Sequence, residues 1–324
     1  MPHRTANEAG IPLLVVLGPT ASGKTQLAVQ LARRLDAEGA RAEVVSADAR
    51  QVYRELELGA GKDRDEYRRG GAPVPVHLLD VATLDTEYHL FAYQRDCYAV
   101  LRALAARRVL PILCGGTGLY LEAVLDAYPL VEAPEDPALR ARLAGLPDDA
   151  LAARLAHYSQ SPHNTTDLTD RARTIRAIEI AEYSAAHPPA PAPPLRPIVL
   201  GVCWPPGRLR SRIAARLHAR LQAGLIAEVA RLHEAGHDWE RLERLGLEYR
   251  FIAEYLQGRI ANEHALVQQL GTAIAQFAKR QRTWFRRMER RGTRIHWVEA
   301  GEVEEAWALV RRESDCWAGT YAAR

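Results

Sequence analysis

No single feature of composition dominates this sequence, and several common features are scarce. In 324 residues, 43 lysines and arginines face 40 aspartates and glutamates, a formal net charge of +3 and a pI near 8.7. The whole-chain charge therefore neither demands nor excludes a polyanionic partner, and only local clustering can decide. Four cysteines, Cys97, Cys114, Cys203 and Cys316, lie far apart and form no C-x-x-C pair. A chain of this length needs no disulfide framework, so they are expected to be free thiols in a reducing cytosol. No stretch reaches the roughly 18 uninterrupted apolar residues of a membrane span. The opening MPHRTANEAGIP also has no apolar signal core. The expectation is a soluble, cytoplasmic protein. No internal repeat is visible, and no N-K-x-D guanine-reading motif occurs, which argues against a GTPase.

What is present suffices for one main domain with an appendage, at 48% hydrophobic residues. Ile11 to Leu17 is short, apolar and followed by Gly-Pro, as a buried parallel strand would be. From Lys24 onward, Leu27, Leu31 and Leu35 recur every fourth residue and predict an amphipathic helix. Further short apolar runs at Ala42 to Ala47, Val109 to Cys114 and Ile198 to Cys203 alternate with helical stretches such as Leu90 to Arg107. A final strand is expected at Arg294 to Val298. This alternation predicts an α/β fold, a P-loop NTPase-like three-layer core around a parallel sheet. Pro134 to about Ala186 reads as helical and charged, and ends in the proline-rich link His187 to Pro197. The domain division expected is a core of 1–130 and 197–324 with an inserted all-helical domain at 131–196.

Gly18-Pro19-Thr20-Ala21-Ser22-Gly23-Lys24-Thr25 matches G-x-x-x-x-G-K-[ST] between that first strand and helix, the context the motif requires. Its glycines let backbone amides curl round a phosphate, Lys24 adds a point charge, and Thr25 can hold Mg²⁺. A di- or triphosphate is therefore expected, and by the motif alone ATP would serve. The strand-then-Asp element that completes NTP hydrolysis sites is represented only by the partial candidate Val76-His77-Leu78-Leu79-Asp80. The loop by itself does not name a reaction.

More specific is a series of segments in order along the chain: Val44 to Arg54 with Asp48-Ala49-Arg50-Gln51 at its centre, Leu58-Gly59-Ala60-Gly61-Lys62, and His77-Leu78-Leu79-Asp80. They continue through Gly115-Gly116-Thr117-Gly118-Leu119-Tyr120, Gly224 to Val229, and Ala278-Lys279-Arg280-Gln281-Arg282-Thr283-Trp284-Phe285-Arg286. Together with the loop, the chain resembles the tRNA dimethylallyltransferases over nearly its whole length. The resemblance implies that the loop holds the diphosphate of dimethylallyl diphosphate with Mg²⁺, where diphosphate is the leaving group. The prenyl group would pass to the exocyclic amine of the adenosine 3′ to the anticodon.

That chemistry assigns roles. The amine is a poor nucleophile, so a base that removes its proton assists attack, and Asp48, after the Ala42 to Ala47 run, matches the family's base. As a residue type at a strand-to-helix junction it would otherwise be a cap. Charge on the departing diphosphate should meet Lys24, Thr20, Thr25 and Arg216, the last singled out by the resemblance. Spacing alone would make Arg212, Arg216 and Arg220 one solvated helix face. For RNA, Lys279 to Arg294 holds eight basic residues against one acid, Glu289, with Trp284 and Phe285 interleaved. Either phosphate contact or a charged helix with buried aromatics fits that pattern. The resemblance places tRNA against Asp48 to Gln51, Thr117, Lys279, Arg280 and Gln281. It also places Arg171, Arg173 and Arg176 near RNA, with the inserted helices gripping the anticodon stem. A monomer is expected.

The chain departs from the family pattern at Ala49, Asp63 and Ile274-Ala275, and in the longer Gly246-Leu247-Glu248-Tyr249-Arg250. The rival readings are an adenylate dimethylallyltransferase acting on free nucleotide, a P-loop nucleotide kinase, and an RNA-binding module with a vestigial loop.

Overall fold

Strand β1 (Ile11–Leu17) buries every residue after its first, as a strand with neighbours on both edges and helices on both faces must. The computed structural model describes residues 10–158, 170–299 and 302–313. Around β1 lie β2 (Ala42–Ala47), β3 (Val76–His77), β4 (Leu110–Gly115), β5 (Leu195–Cys203) and β6 (Ile295–Glu299). All are parallel, in the order β3-β2-β4-β1-β5-β6. Leu17 pairs with both Gly115 and Gly201, and Ala47 with Gly115. The carboxyl ends of β1, β2 and β4 therefore align, and Gly18, Asp48 and Gly116 emerge at one edge, where parallel α/β sheets bind ligands.

Alternate residues of the strands face opposite layers. Leu14, Val16, Val44, Ile112 and Leu200 pack against helix α1 (Lys24–Ala37) and, through Ala306 and Val310, α12 (Val303–Glu313). On the other face lies α2 (Leu90–Ala106), where the Tyr93 hydroxyl donates to the Ser46 carbonyl at 3.1 Å, followed by α3 (Gly118–Leu125) after β4. The three-layer α/β expectation holds.

A second core is helical. It joins α7 (Pro206–Gln222), α8 (Leu225–Glu234), α9 (Trp239–Arg244), α10 (Leu247–Leu256) and the first half of the 28-residue α11 (Glu263–Arg290) to Val52, Tyr53 and Leu56.

The chain divides into two units, residues 1–126 with 193–324, and residues 127–192. The insert begins and ends about four residues earlier than expected. Ile11 N donates to the Pro194 carbonyl at 2.8 Å, and β5 has begun by Leu195, so the end of the proline-rich link belongs to the sheet. Within 127–192, α4 (Pro137–Ala144), α5 (Asp148–Tyr158) and α6 (Arg171–Ala186) surround Leu143, Leu151 and Ile178.

Among the described residues, no helix is long and apolar enough to cross a membrane. Cys97, Cys114 and Cys203 are free thiols, and Cys316 lies outside the described residues.

Candidate active site

The phosphate loop leaves β1 and enters α1 as the motif predicts, with two residues in the left-handed region, Ala21 at φ 60° and Gly23 at φ 89°. Gly23 takes that conformation freely; for Ala21 it is a local cost that the surroundings must offset. Two side chains that the motif does not contain do so from outside. Arg212 Nε donates to the Ala21 carbonyl at 2.9 Å, and Trp204 Nε1 to the Ser22 carbonyl at 2.8 Å, with the Arg212 guanidinium 4.7 Å above the Trp204 ring. No acidic residue occupies the first turn of α1 and no side chain caps it, so its orphan amides and positive end remain available to an anion. Burial chiefly, and Arg216 secondarily, push the Lys24 ammonium down from the ordinary lysine value, while Asp48 and Asp63 act the other way.

Asp48 follows the last residue of β2, and its Oδ1 accepts from Arg50 N at 2.9 Å. Thr117 sits opposite, its Oγ1 accepting from Ala49 N at 3.1 Å, so the segment after β2 and the glycine-rich turn after β4 are fixed to each other. Gln281 of α11 ties this turn to the phosphate loop. Its Oε1 accepts from Thr20 N and its Nε2 donates to the Gly116 carbonyl, both at 2.8 Å. Gln281, expected to contact tRNA, is thus engaged inside the protein at both ends of its amide and is buried.

The arginine stripe of α7 is not a solvated face. Arg212 holds Ala21, Arg216 Nη2 donates to Thr20 Oγ1, and Arg220 Nη2 pairs with Asp63 Oδ1 at 3.2 Å. Burial, with Arg220 one turn away, brings the Arg216 guanidinium down to about 10, still charged at neutral pH. Gly61, at φ 64°, leaves room for Arg220, since a Cβ there would lie 2.1 Å from Nη2.

These groups enclose a cavity of about 450 Å³, a size that suits a small substrate. Thr20, Lys24, Thr25, Asp48, Thr117 and Arg216 line it, as do Ala49 to Gln51, Arg280, Gln281 and Trp284. Sequence reading did not anticipate Asp63, Arg220, Glu248 and Phe277 in the wall. Burial raises the Glu248 carboxyl above the usual carboxylate range, against Arg220 and Arg216.

The predicted RNA-contacting residues separate into two groups. Lys279 and Arg280 are exposed on α11. Arg287 and Arg291, by contrast, each donate at 2.6 Å to the fully buried Glu122 carboxylate, and Arg287 stacks 3.9 Å from the Trp284 ring. Phe285 is core, while Trp284 faces the cavity. In the 127–192 unit, Arg171 is engaged by Asp148 and by the carbonyls of Ala144 (2.8 Å) and Leu146 (2.6 Å). Arg176 binds Glu179 and the Ala133 carbonyl, whereas Arg173 is exposed and, among the described residues, makes a loose 3.6 Å pair with Asp170. Asp80, the partial metal-ligand candidate, is taken by Lys62 (2.5 Å) and Arg64 (2.6 Å), and β3 beside it is a two-residue edge strand.

A parallel sheet whose central strand feeds a phosphate loop, with a carboxylate at the end of a nearby strand in the same cavity, defines a P-loop enzyme in which Asp80, the candidate second acidic element, is engaged by Lys62 and Arg64. Comparison with known proteins narrows this class. The family model for IPP transferase matches residues 51–288, and that for isopentenyl transferase matches 11–71. The chain is 48% identical over 301 residues to tRNA dimethylallyltransferase 1 of Geotalea uraniireducens, covering 92% of this chain and 97% of that one. It is 51% identical over 289 residues to tRNA dimethylallyltransferase 2 of Trichlorobacter lovleyi, covering 89% and 92%. Among solved structures, the full-length tRNA isopentenylpyrophosphate transferase of Bacillus halodurans superposes with a TM-score of 0.67 at 27% identity, covering 95% of this chain and 99% of that one. A eukaryotic dimethylallyltransferase solved in a study of its action on tRNA shares the fold, with a TM-score of 0.71 at 19% identity over 94% of this chain and 77% of that one. The chain belongs to the IPP transferase family.

Proposed function

We propose that this enzyme transfers the dimethylallyl group of dimethylallyl diphosphate to the exocyclic amine of the adenosine 3′ to the anticodon in tRNA, releasing diphosphate. The observation that carries the reading is that Asp48 and the phosphate-loop residues Thr20, Lys24 and Thr25 line one cavity together with Arg216. A nucleophile's proton acceptor and a leaving group's clamp thus share a space large enough for both reactants.

In this reading the amine nitrogen attacks the allylic carbon bonded to oxygen as the carbon–oxygen bond breaks. The amine proton passes to the Asp48 carboxylate, and the electron pair of the broken bond stays on the diphosphate. Lys24, Arg216, the Thr20 hydroxyl and the α1 amides meet the charge that grows there, and donors fixed in advance stabilise it most. The Gln281 bridge and the Arg216 to Thr20 contact supply that fixity.

For Mg²⁺ the donor chemistry fits: the Thr25 hydroxyl and the Asp48 carboxylate, both hard oxygen donors, line the same cavity. Among the described residues no group of three or more His, Cys, Asp or Glu side chains forms a cage. Thr25, with substrate oxygens and water, would hold the ion, the mode Mg²⁺ favours. Bound there, the ion would neutralise diphosphate charge.

An adenine must leave its stack to reach Asp48, and unpaired anticodon-loop nucleotides are the least costly to extrude. Lys279, Arg280 and Arg173 are exposed cations that suit the RNA backbone. We place the protein in the cytoplasm, acting as a monomer.

The test is transfer of labelled dimethylallyl to unmodified tRNA, with AMP and ATP offered in parallel. Label should enter tRNA, and Asp48→Asn should slow transfer by about 10²–10⁴-fold, the usual contribution of a positioned base. Label only in AMP would identify the free-nucleotide enzyme, and consumption of ATP alone a kinase.

A further inference from the structure

Between Tyr53 and the short helical turn Arg64–Tyr67 runs a loop, residues 57–63, in which the amides of Gly61 and Lys62 bond back to the loop's own carbonyls while the four amides before them bond to side chains distant in sequence. Gly59, Ala60, Gly61 and Asp63 form part of the cavity wall. Asp63 also faces the outer side of the phosphate loop beside Lys24, Thr25 and Arg216.

Four consecutive amides of this loop converge on two buried side chains. Those of Glu57, Leu58 and Gly59 donate to the Glu228 carboxylate at 3.2, 2.7 and 3.3 Å. That of Ala60 donates to the Tyr249 hydroxyl at 3.1 Å, and this hydroxyl donates to Glu228 Oε1 at 2.7 Å. Glu228 and Tyr249 are 5% and 1% exposed. No cation lies within ion-pair distance of Glu228 among the described residues, so backbone amides and one phenol stabilise the carboxylate. A buried carboxylate is costly unless its acceptor capacity is filled, and a space-filling core residue needs no charge. Gly59 makes the approach possible, because a Cβ there would lie 2.5 Å from the Tyr249 ring.

The loop in turn reaches the chemistry. Gln51 Nε2 donates to the Gly61 carbonyl at 2.9 Å while Gln51 Oε1 accepts from Ser46 Oγ at 2.7 Å, which links the loop to the segment bearing Asp48. Asp63 pairs with Arg220, one turn along α7 from Arg216. The Lys62 side chain points away from the cavity, its ammonium held by the Tyr53 carbonyl and Asp80, so the loop presents backbone and Asp63 to the site.

We infer that Glu228 and Tyr249 are positioning residues for the diphosphate side of the active site, acting through residues 57–63. This rests on reading the cavity as the prenyl-transfer site. Neutral Glu228→Gln keeps the shape but turns a donor NH₂ towards at least one loop amide. Tyr249→Phe removes only the hydroxyl between Ala60 N and Glu228.

The experiment uses the full chain and both variants, and measures calorimetric binding of inorganic diphosphate with Mg²⁺, steady-state constants for donor and tRNA, and thermal melting. In each variant the Kd for diphosphate and the KM for the donor should rise about tenfold, the effect of one or two lost buried hydrogen bonds. The KM for tRNA should stay within about twofold, with a cooperative melt. Folded variants with unchanged diphosphate binding, or with equal losses for donor and tRNA, overturn the inference and leave Glu228 a purely structural residue. If Glu228→Gln does not fold, Tyr249→Phe decides alone. A wild-type chain that binds diphosphate but transfers nothing would refute the reaction assigned above, while the binding comparison would still test the loop.

Discussion

Replacing Gln281 by alanine tests whether this residue of α11 is a brace or an RNA contact. The change removes two 2.8 Å hydrogen bonds, one from Thr20 N and one to the Gly116 carbonyl. The Gly116 end is buried, and leaving such a group unsatisfied costs about 1–3 kcal/mol, while the partly exposed Thr20 amide can regain water at a net loss of about 0.5–1.5 kcal/mol. The expected destabilisation is therefore about 2–4 kcal/mol. For a domain of this size each kcal/mol lowers the melting temperature by roughly 2–4 °C, which predicts a fall on the order of 5–15 °C by calorimetry. Because the severed brace joins the phosphate loop to the turn carrying Thr117, the donor KM should rise and kcat should fall. Gln281→Glu should not rescue, since its second carboxylate oxygen would face the Gly116 carbonyl oxygen. A variant that melts like the wild type and loses affinity for tRNA alone would refute this reasoning and return Gln281 to the RNA-contacting surface.

Two further perturbations read other parts of the fold. Burial opposes ionisation of Glu179, but Arg140, the Asp136 amide and Arg176 hold its carboxyl at about 2 instead of the ordinary 4.5. Its contribution to the stability of residues 127–192 is thus complete above about pH 4.5 and is lost as pH falls towards 2. Acid unfolding followed by circular dichroism should show this, and Glu179→Gln should weaken the pH dependence in that window; an unchanged acid limb would contradict the assignment. Gly118→Ala should be destabilising despite alanine's helix propensity, because its Cβ would lie 2.4 Å from Trp284 Cδ1. Overpacking of this kind costs about 1–3 kcal/mol, and a variant with an unchanged or raised melting temperature would show that Trp284 yields freely.

How much of this was legible before the structure depends on sequence range. The phosphate loop was, because Gly18 to Thr25 is a local pattern between a strand and a helix whose limits at Ile11, Leu17 and Lys24 were read correctly. β2 and the position of Asp48 after it followed from the apolar run Ala42 to Ala47. Arg216 emerged only through family resemblance, since its i, i+4 spacing with Arg212 and Arg220 also describes a surface helix. The long-range partners were not found, and their signal was faint. Gln281 lies in the α11 stripe Leu270, Ile274, Ala278, Phe285, and Glu228 lies between Leu225 and Val229 in α8. A polar residue on an apolar stripe can mark a buried partner elsewhere, but not which partner. The basic tail misled for a related reason: composition counts Arg287 and Arg291 as available cations, whereas the buried Glu122, about 165 residues earlier, engages both.

The position of β1 at the middle of the sheet has a consequence for synthesis. Made before β4 and β5, strand β1 can pair with β4 once Leu110–Gly115 has emerged, but its other edge stays open until Leu195 arrives to meet Ile11. In that interval the nascent chain carries an apolar strand with one row of unpaired amides and carbonyls, the kind of edge that recruits other chains. The residues made meanwhile are those of the 127–192 unit, which has its own small hydrophobic cluster. The interruption in the sheet thus sets a waiting time during birth, and slowing translation through the insert should increase aggregation of the emerging chain.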